Sequence, residues 1–246
     1  MNEQEVKDLA FAMPITNPAY PRPPIRFMDR ELILITYRTD PQALEKVVPA
    51  PLKPASDQLL YEWIRMPDSS GLGSYMESGQ VIPVTYKDQA GSYTHSMYLD
   101  NLPGIIAGRE LVGFPKVWGT PRLELRDECL IGTLDYSGVR VATGTMAFKH
   151  SVVPPEIASE GFKTPNFVLK SIPHVDGTPR ILELVRFVAT DVTLKGAWAG
   201  PASLELHPHC MAPVADLPVR EVVSAAHLLV DMTLTYGEVA HDYLRA

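Results

Sequence analysis

The sequence predicts a mainly β protein of the α+β class, an antiparallel sheet system closed or nearly closed into a barrel and flanked by a few helices. Three observations carry this expectation. β-Branched and aromatic residues recur with a period of two in many short runs bounded by turn residues. The 23 prolines of the chain suit short strands and loops better than long helices. Helical patterns, by contrast, are few and short.

In chain order, EQEVKDLAFAM (3–13) reads as a helix, followed by a strand over 31–38 (ELILITYR). Asp40 before Pro41 reads as an N-cap with proline at the first helical position, and Pro49 ends the helix begun by QALEKVV. Strand patterns then occupy 59–66 (LLYEWIRM), 80–86, 93–99, 122–126, 130–136, 139–149, 166–172 and 181–194. Ser137-Gly138 reads as a tight hairpin turn. Helices are expected within REVVSAAHLL (220–229) and over YGEVAHDYL (236–244). With no internal repeat, low-complexity stretch or long linker, residues 1–246 read as one domain.

A net charge of −7 and the lack of any basic stripe argue against nucleic acid as a partner. The N-terminal MNEQEVKDLAFAMP has acidic residues where a secretion leader is basic, and no run of about 18 apolar residues occurs. A cytoplasmic protein that does not span a membrane is expected. Cys129 and Cys210 are too few for a disulfide framework and read as a reduced pair. GLGSYMESG (71–79) lacks the third glycine of a dinucleotide fingerprint and reads as a turn. His207, His209 and Cys210 lie on a chain where alternate residues diverge, and no second ligand cluster accompanies them, so no metal is expected.

The informative segment is GRELVGFPKVWG (108–119), in which Lys116 is enclosed by Phe114-Pro115 and Val117-Trp118. Taken alone, Lys116 is either a snorkelling lysine with its ammonium in water or a desolvated amine. Glu62 reads as an outward-facing strand glutamate, Glu77 as a turn residue beside Ser78-Gly79, and Arg30 as an exposed arginine paired with Glu31.

GRELVGFPK, together with YMESGQVIPV and SMYLDN upstream, resembles the acetoacetate decarboxylase family. The likeness runs from NPAYPRPP through TLDYSGVRVATGTM, PNFVLKSIP, DGTPRILEL and AWAGPASLEL to HDYL, effectively the whole chain. It implies an antiparallel β-barrel or cone with flanking helices, assembled into a large homo-oligomer, a dodecamer. It also implies decarboxylation of acetoacetate to acetone and CO2 through a lysine Schiff base, with no metal or organic cofactor. The imine-forming lysine of the family falls on Lys116, its active-site arginine on Arg30, and its two glutamates on Glu62 and Glu77. Phe27, Met97 and Phe114 fall on its apolar pocket wall. Phe114 stands where a tyrosine is expected, and Val117 where a second lysine commonly follows the reactive one.

The chemistry explains why such residues are needed. Loss of CO2 from a β-keto acid leaves an electron pair on carbon, and a protonated imine accepts it far better than a ketone. Forming that imine requires a neutral amine, whereas an ordinary lysine, with a pKa of about 10.4, is only about 0.04% neutral at pH 7. Acetoacetate decarboxylase is itself a known instance of lysine activation by an apolar pocket or a neighbouring cation. If Lys116 lies on extended backbone, a side chain at 117 points away from it, so desolvation is expected to dominate. The glutamates suit proton transfer, and Arg30 suits orientation of a carboxylate or a forked ion pair to a glutamate. Another imine reaction of a keto acid, such as aldol condensation, dehydration or retro-aldol cleavage, is the main alternative, and a ligand-binding barrel the second.

Overall fold

A computed structural model describes residues 1–245. In chain order its strands are β1 (Ile25–Arg38), β2 (Lys53–Pro54), β3 (Gln58–Ser69), β4 (Gly73–Tyr86), β5 (Gln89–Leu99), β6 (Lys116–Trp118), β7 (Thr120–Arg126) and β8 (Cys129–Tyr136). They continue with β9 (Val139–Ala147), β10 (Ser151–Val152), β11 (Asn166–Pro173), β12 (Pro179–Phe187), β13 (Thr190–Ala199), β14 (Ala202–Leu206), β15 (Glu221–Leu234) and β16 (Glu238–Asp242). The helices are short: α1 (Glu3–Leu9), α2 (Pro41–Val47), α3 (Leu102–Ala107), α4 (Pro155–Ala158) and α5 (Glu160–Lys163). A π-helical turn, Gly108–Val112, extends α3.

Among the described residues, twelve strands join in one sheet along the path β10-β13-β15-β1-β3-β4-β5-β11-β12-β16, with β2 beside β4 and β6 beside β5. Most pairs are antiparallel, but β5 pairs in parallel with both β6 and β11. A smaller antiparallel sheet, β14-β9-β8-β7, packs on one face. The period-two pattern of the central strands gives the large sheet two buried faces. Ile33, Ile35, Tyr61 and Trp63 enter the core shared with Leu130, Leu134 and Val141 of the small sheet. Phe27, Leu32, Ile64, Met66 and Leu228 belong to a separate apolar cluster on the opposite face. Trp63 is fully buried, and it fits because Gly132 and Gly144 carry no side chain beneath it.

Local sequence explains the well-formed elements. Asn2 and Glu5 form a reciprocal capping box on α1, which buries no residue and ends at Leu9, short of the expected Met13. Pro41 begins α2 as expected, but the Asp40 side chain does not cap it and pairs instead with Arg220 at 2.7 Å. Ser137 and Gly138 take φ of 50° and 81°, the two positive values that a type I′ hairpin turn requires.

Four expectations fail. Residues 220–229 and 236–244 are not helical: they form most of β15 and β16. β15 lies between β1 and β13, pairing with β1 from Glu221 to Leu234 and with β13 from Ala226 to Thr233, so ladder hydrogen bonds override the helix preference of its alanines and leucines. β16 is drawn onto β12 in the same way. The run 181–194 is broken into β12 and β13, and most of 71–79 is strand, because β4 begins at Gly73 and only the positions before it turn. Among the described residues, no helix is long and apolar enough to cross a membrane.

The packing of Trp63 yields a stability test. A Cβ at Gly132 would lie 2.4 Å from the Trp63 ring, whereas one at Gly161 in α5 would meet nothing within 4 Å. Gly132→Ala is therefore expected to lower stability by about 1–3 kcal/mol, read from urea midpoints, and Gly161→Ala to leave it unchanged or raise it by up to about 1 kcal/mol. Equal midpoints for the two variants would mean that Trp63 does not set the spacing of the sheets.

Candidate active site

The face of the large sheet away from the small one lines a cavity of about 390 Å³. Each strand delivers its polar group by a separate local device. On β3, alternation sends Tyr61 and Trp63 to the inter-sheet core and Leu60, Glu62 and Ile64 to the cavity. On β4 the same period brings Tyr75 and Glu77 to it. Strict alternation on β1 would part Phe27 from Arg30, yet both line the cavity. The register with β15 shifts between them, and Asp29 takes φ 55° in the resulting bulge. The Asp29 N–H donates to the Asp231 carboxylate at 2.7 Å, and Lys195 bridges both aspartates at 2.5 and 2.7 Å.

Lys116 arrives by the parallel pairing of β6 with β5. Glu62 pairs with Gly79, Gly79 with Met97, and Met97 with Lys116, so one row across four adjacent strands carries the carboxyl group at one end and the amine at the other. Lys116 and Glu77 are 8% and 3% exposed, and Nζ lies 2.5 Å from Glu77 Oε1. The ammonium does not snorkel. The Phe114 ring centroid is 5.2 Å from Nζ and that of Tyr75 5.9 Å. Phe114 in turn packs edge-on against Phe187. Val117, 37% exposed, points away, as extended backbone dictates.

Arg30 is buried, with its guanidinium 5.8 Å above the Phe27 ring. Among the described residues its Nε has no hydrogen-bond partner, and Nη1 donates only to the weakly accepting sulfur of Met232. Burial lowers its pKa from the usual arginine value, opposed by the charges of Glu77, Glu62 and Tyr75. Arg30 is thus neither exposed nor paired with Glu31, which holds Arg65 at 3.3 Å and His227 at 3.1 Å. Nor does it form the forked pair to a glutamate. Glu62 lines the cavity and is partly exposed there. Burial raises its pKa to about 7, Arg30 and Lys116 pulling it down and Glu77 pushing it up.

Phe27, Arg30, Glu62, Glu77, Met97, Phe114 and Lys116, singled out from the sequence, therefore all line one cavity. Sequence reasoning missed Tyr75, whose hydroxyl burial pushes well above the usual pKa of 10, followed in effect by the Glu77 charge. It stands two residues before Glu77, so reading 73–79 as strand would have placed it on the same face. The Thr94 hydroxyl, which donates to Asn166 Oδ1 at 3.0 Å on another wall, depends on the parallel β5–β11 pair and has no local signal. Among the described residues, no three His, Cys, Asp or Glu side chains gather as a metal site.

A family model described as acetoacetate decarboxylase matches residues 12–244. The chain belongs to the acetoacetate decarboxylase family. The acetoacetate decarboxylase of Acidiphilium cryptum (strain JF-5) is 58% identical over 244 residues, covering 99% of this chain and 100% of that relative. A solved acetoacetate decarboxylase structure superposes with a TM-score of 0.96 at 48% identity, covering 99% of this chain and 100% of the other. That from Legionella pneumophila gives 0.94 at 43%, covering 99% and 98%. The resemblance read from the motifs thus holds over the full chain, and with it the mainly β fold and the carboxy-lyase class of enzyme.

The raised pKa of Glu62 has a consequence for stability. Its folded value lies above the unfolded one of about 4.5, so the folded state binds the extra proton. This contribution is fully present below pH 4.5 and is lost as pH rises towards 7. Relative to Glu62→Gln, the wild type should lose at most about 3.5 kcal/mol between pH 4.5 and 8, at about 1.36 kcal/mol per unit. Parallel urea midpoints for the two proteins across that range would show that Glu62 ionises as an ordinary carboxylate.

Proposed function

We propose that this enzyme decarboxylates acetoacetate to acetone and CO2 through an imine on Lys116. The observation that carries the reading is a buried amine touching a carboxylate, in a cavity that also holds a buried arginine with no salt-bridge partner among the described residues. Glu77 accepts the proton of the Lys116 ammonium across their contact, leaving a neutral amine to attack the keto carbon. Loss of water from the carbinolamine gives the protonated imine. The bond to the carboxylate then breaks, its electron pair passing to the iminium nitrogen and CO2 departing. Protonation of the enamine carbon and hydrolysis release acetone and free Lys116.

Several proton transfers are needed, and a carboxyl group titrating near neutrality, as Glu62 does, is suited to both giving and taking them. Arg30 supplies the positive charge that admits and orients the substrate carboxylate. That no described residue forms an ion pair with it supports this role, since a guanidinium already forked to a glutamate would be spent. Phe27 and Met97 wall the site with apolar surface, which disfavours a carboxylate and favours uncharged CO2. Another imine reaction on the same lysine gains no specific support here, whereas relatives 56–58% identical over essentially the whole chain are acetoacetate decarboxylases. We further read residues 1–246 as one domain acting in the cytoplasm within a large homo-oligomer, and exposed apolar side chains such as Trp118 and Val117 suit subunit contact.

Borohydride added with acetoacetate should attach a reduced adduct to Lys116 and abolish CO2 release, and Lys116→Ala should show neither adduct nor turnover. Mass spectrometry locating the adduct on another lysine would end the assignment. Because position 117 faces away from the cavity, Val117→Lys should leave the pH profile of kcat/KM within about one unit of the wild type. A larger displacement would favour an adjacent cation over desolvation as the activating influence.

A further inference from the structure

Gly108 ends α3 and opens the π-helical turn with φ −61° and ψ −45°. Every L residue adopts that right-handed conformation, and alanine is favoured over glycine there by about 1 kcal/mol. Backbone conformation therefore gives no reason for glycine at this position. The reason lies across the contact. A Cβ built on Gly108 would fall 2.5 Å from Lys116 Cδ, 2.9 Å from Cε and 3.4 Å from Cγ, its three nearest neighbours all belonging to that one stem. The chain on either side fixes the contact. The Gly108 carbonyl accepts from the N–H groups of Gly113 and Phe114 at 2.8 and 2.9 Å, turning the chain back on itself. Arg109 Nη1 then donates to the Lys116 carbonyl at 3.1 Å.

We propose that Gly108 is a positioning residue for the reaction: its bare α-carbon is the slot that lets the Lys116 stem lie against the π-helical turn, and the slot sets where Nζ meets Glu77 and the substrate. The inference rests on the reading of Lys116 as the imine-forming amine. The backbone on both sides is hydrogen-bonded, whereas the outer half of a lysine is flexible, so an added methyl is relieved by movement of the amine. Alanine at 108 therefore leaves the fold intact and misplaces Nζ. Misplacement by about 1 Å is enough for a rate loss on the order of 10²-fold.

The test compares wild type, Gly108→Ala, Lys116→Ala and the double variant by borohydride trapping with acetoacetate, by kcat and KM, and by urea midpoint. Gly108→Ala is expected to unfold near the wild-type midpoint while kcat and the trapping rate at Lys116 fall about 100-fold, with KM little changed. With the stem removed, alanine at 108 should help, so the double variant should unfold at higher urea than Lys116→Ala. Wild-type trapping and kcat in Gly108→Ala, or a double variant less stable than Lys116→Ala, would overturn the positioning role even if Lys116 forms the imine. Absence of an adduct in the wild type would remove the imine reading, and this inference with it.

Discussion

Lys116 and Glu77 meet at 2.5 Å with both side chains almost excluded from solvent. Taking two such charges out of water costs several kcal/mol for each, and their attraction compensates only when the geometry is held closely. Lys116 is threaded between the π-helical turn and β5, and Glu77 sits in the middle of β4 with β3 and β5 on either side. Much of the fold on this face follows from keeping that pair dry and in register. The ends are capped by aromatic rings of Tyr75 and Phe114, and the remaining polar groups are spaced so that the cavity does not accumulate charge of one sign. A second carboxyl group, Glu62, is balanced by a second cation, Arg30, and burial raises its pKa so that it is partly neutral at pH 7.

The large sheet needs irregularity to do this. A uniform antiparallel ladder would have put Phe27 and Arg30 on opposite faces and given Lys116 no strand to lie on. The bulge at Asp29 restores Arg30 to the cavity side, held by Asp231 and Lys195, whose exposed partners contribute little energy but fix a hydrogen-bonding direction. The short parallel strand β6 then brings Lys116 alongside Met97. Opposite these irregularities, the regular side of β1 and β3 packs on the small sheet through Ile33, Ile35 and Trp63, so the strands that aim the polar groups are anchored from behind.

Much of this was legible before the structure. The alternation of ELILITYR and LLYEWIRM gives β1 and β3 and, once Trp63 is placed inside, requires Glu62 to face the other way. What that pattern does not say is that the other way is also buried, which is why Glu62 alone reads as a surface residue. Arg30 reads as exposed for the same reason, since burial on a second face is a property of tertiary closure, not of local spacing, whereas Glu77 reads as a turn residue because the glycines of 71–79 hide the start of β4. Their assignment to one site came from family motifs. β15 was obscured because Ser-Ala-Ala-His-Leu-Leu favours helix until two neighbouring ladders claim its backbone. Gly108 had no signal at all, since a glycine in helical conformation shows its purpose only when the side chain lying against it is known.

The two departures from the family pattern can be weighed by where they fall. Position 117 is exposed and on the reverse of β6, so the loss of a lysine there removes a charge from solvent, not from the cavity, and leaves the burial of Lys116 as it was. Position 114 is different, because its ring lies over Nζ. Phenylalanine keeps the aromatic face towards the amine and the edge contact with Phe187, and gives up only the hydroxyl. The absence of that hydroxyl makes the wall around Lys116 more apolar. Within the proposed mechanism that shifts the burden of activation further onto desolvation and onto Glu77, the carboxylate hydrogen-bonded to the amine. The same residue that makes the buried lysine tolerable as a cation is then the one that must take its proton, and the pairing of β4 with a strand on each side of Glu77 holds that carboxylate where it can do both.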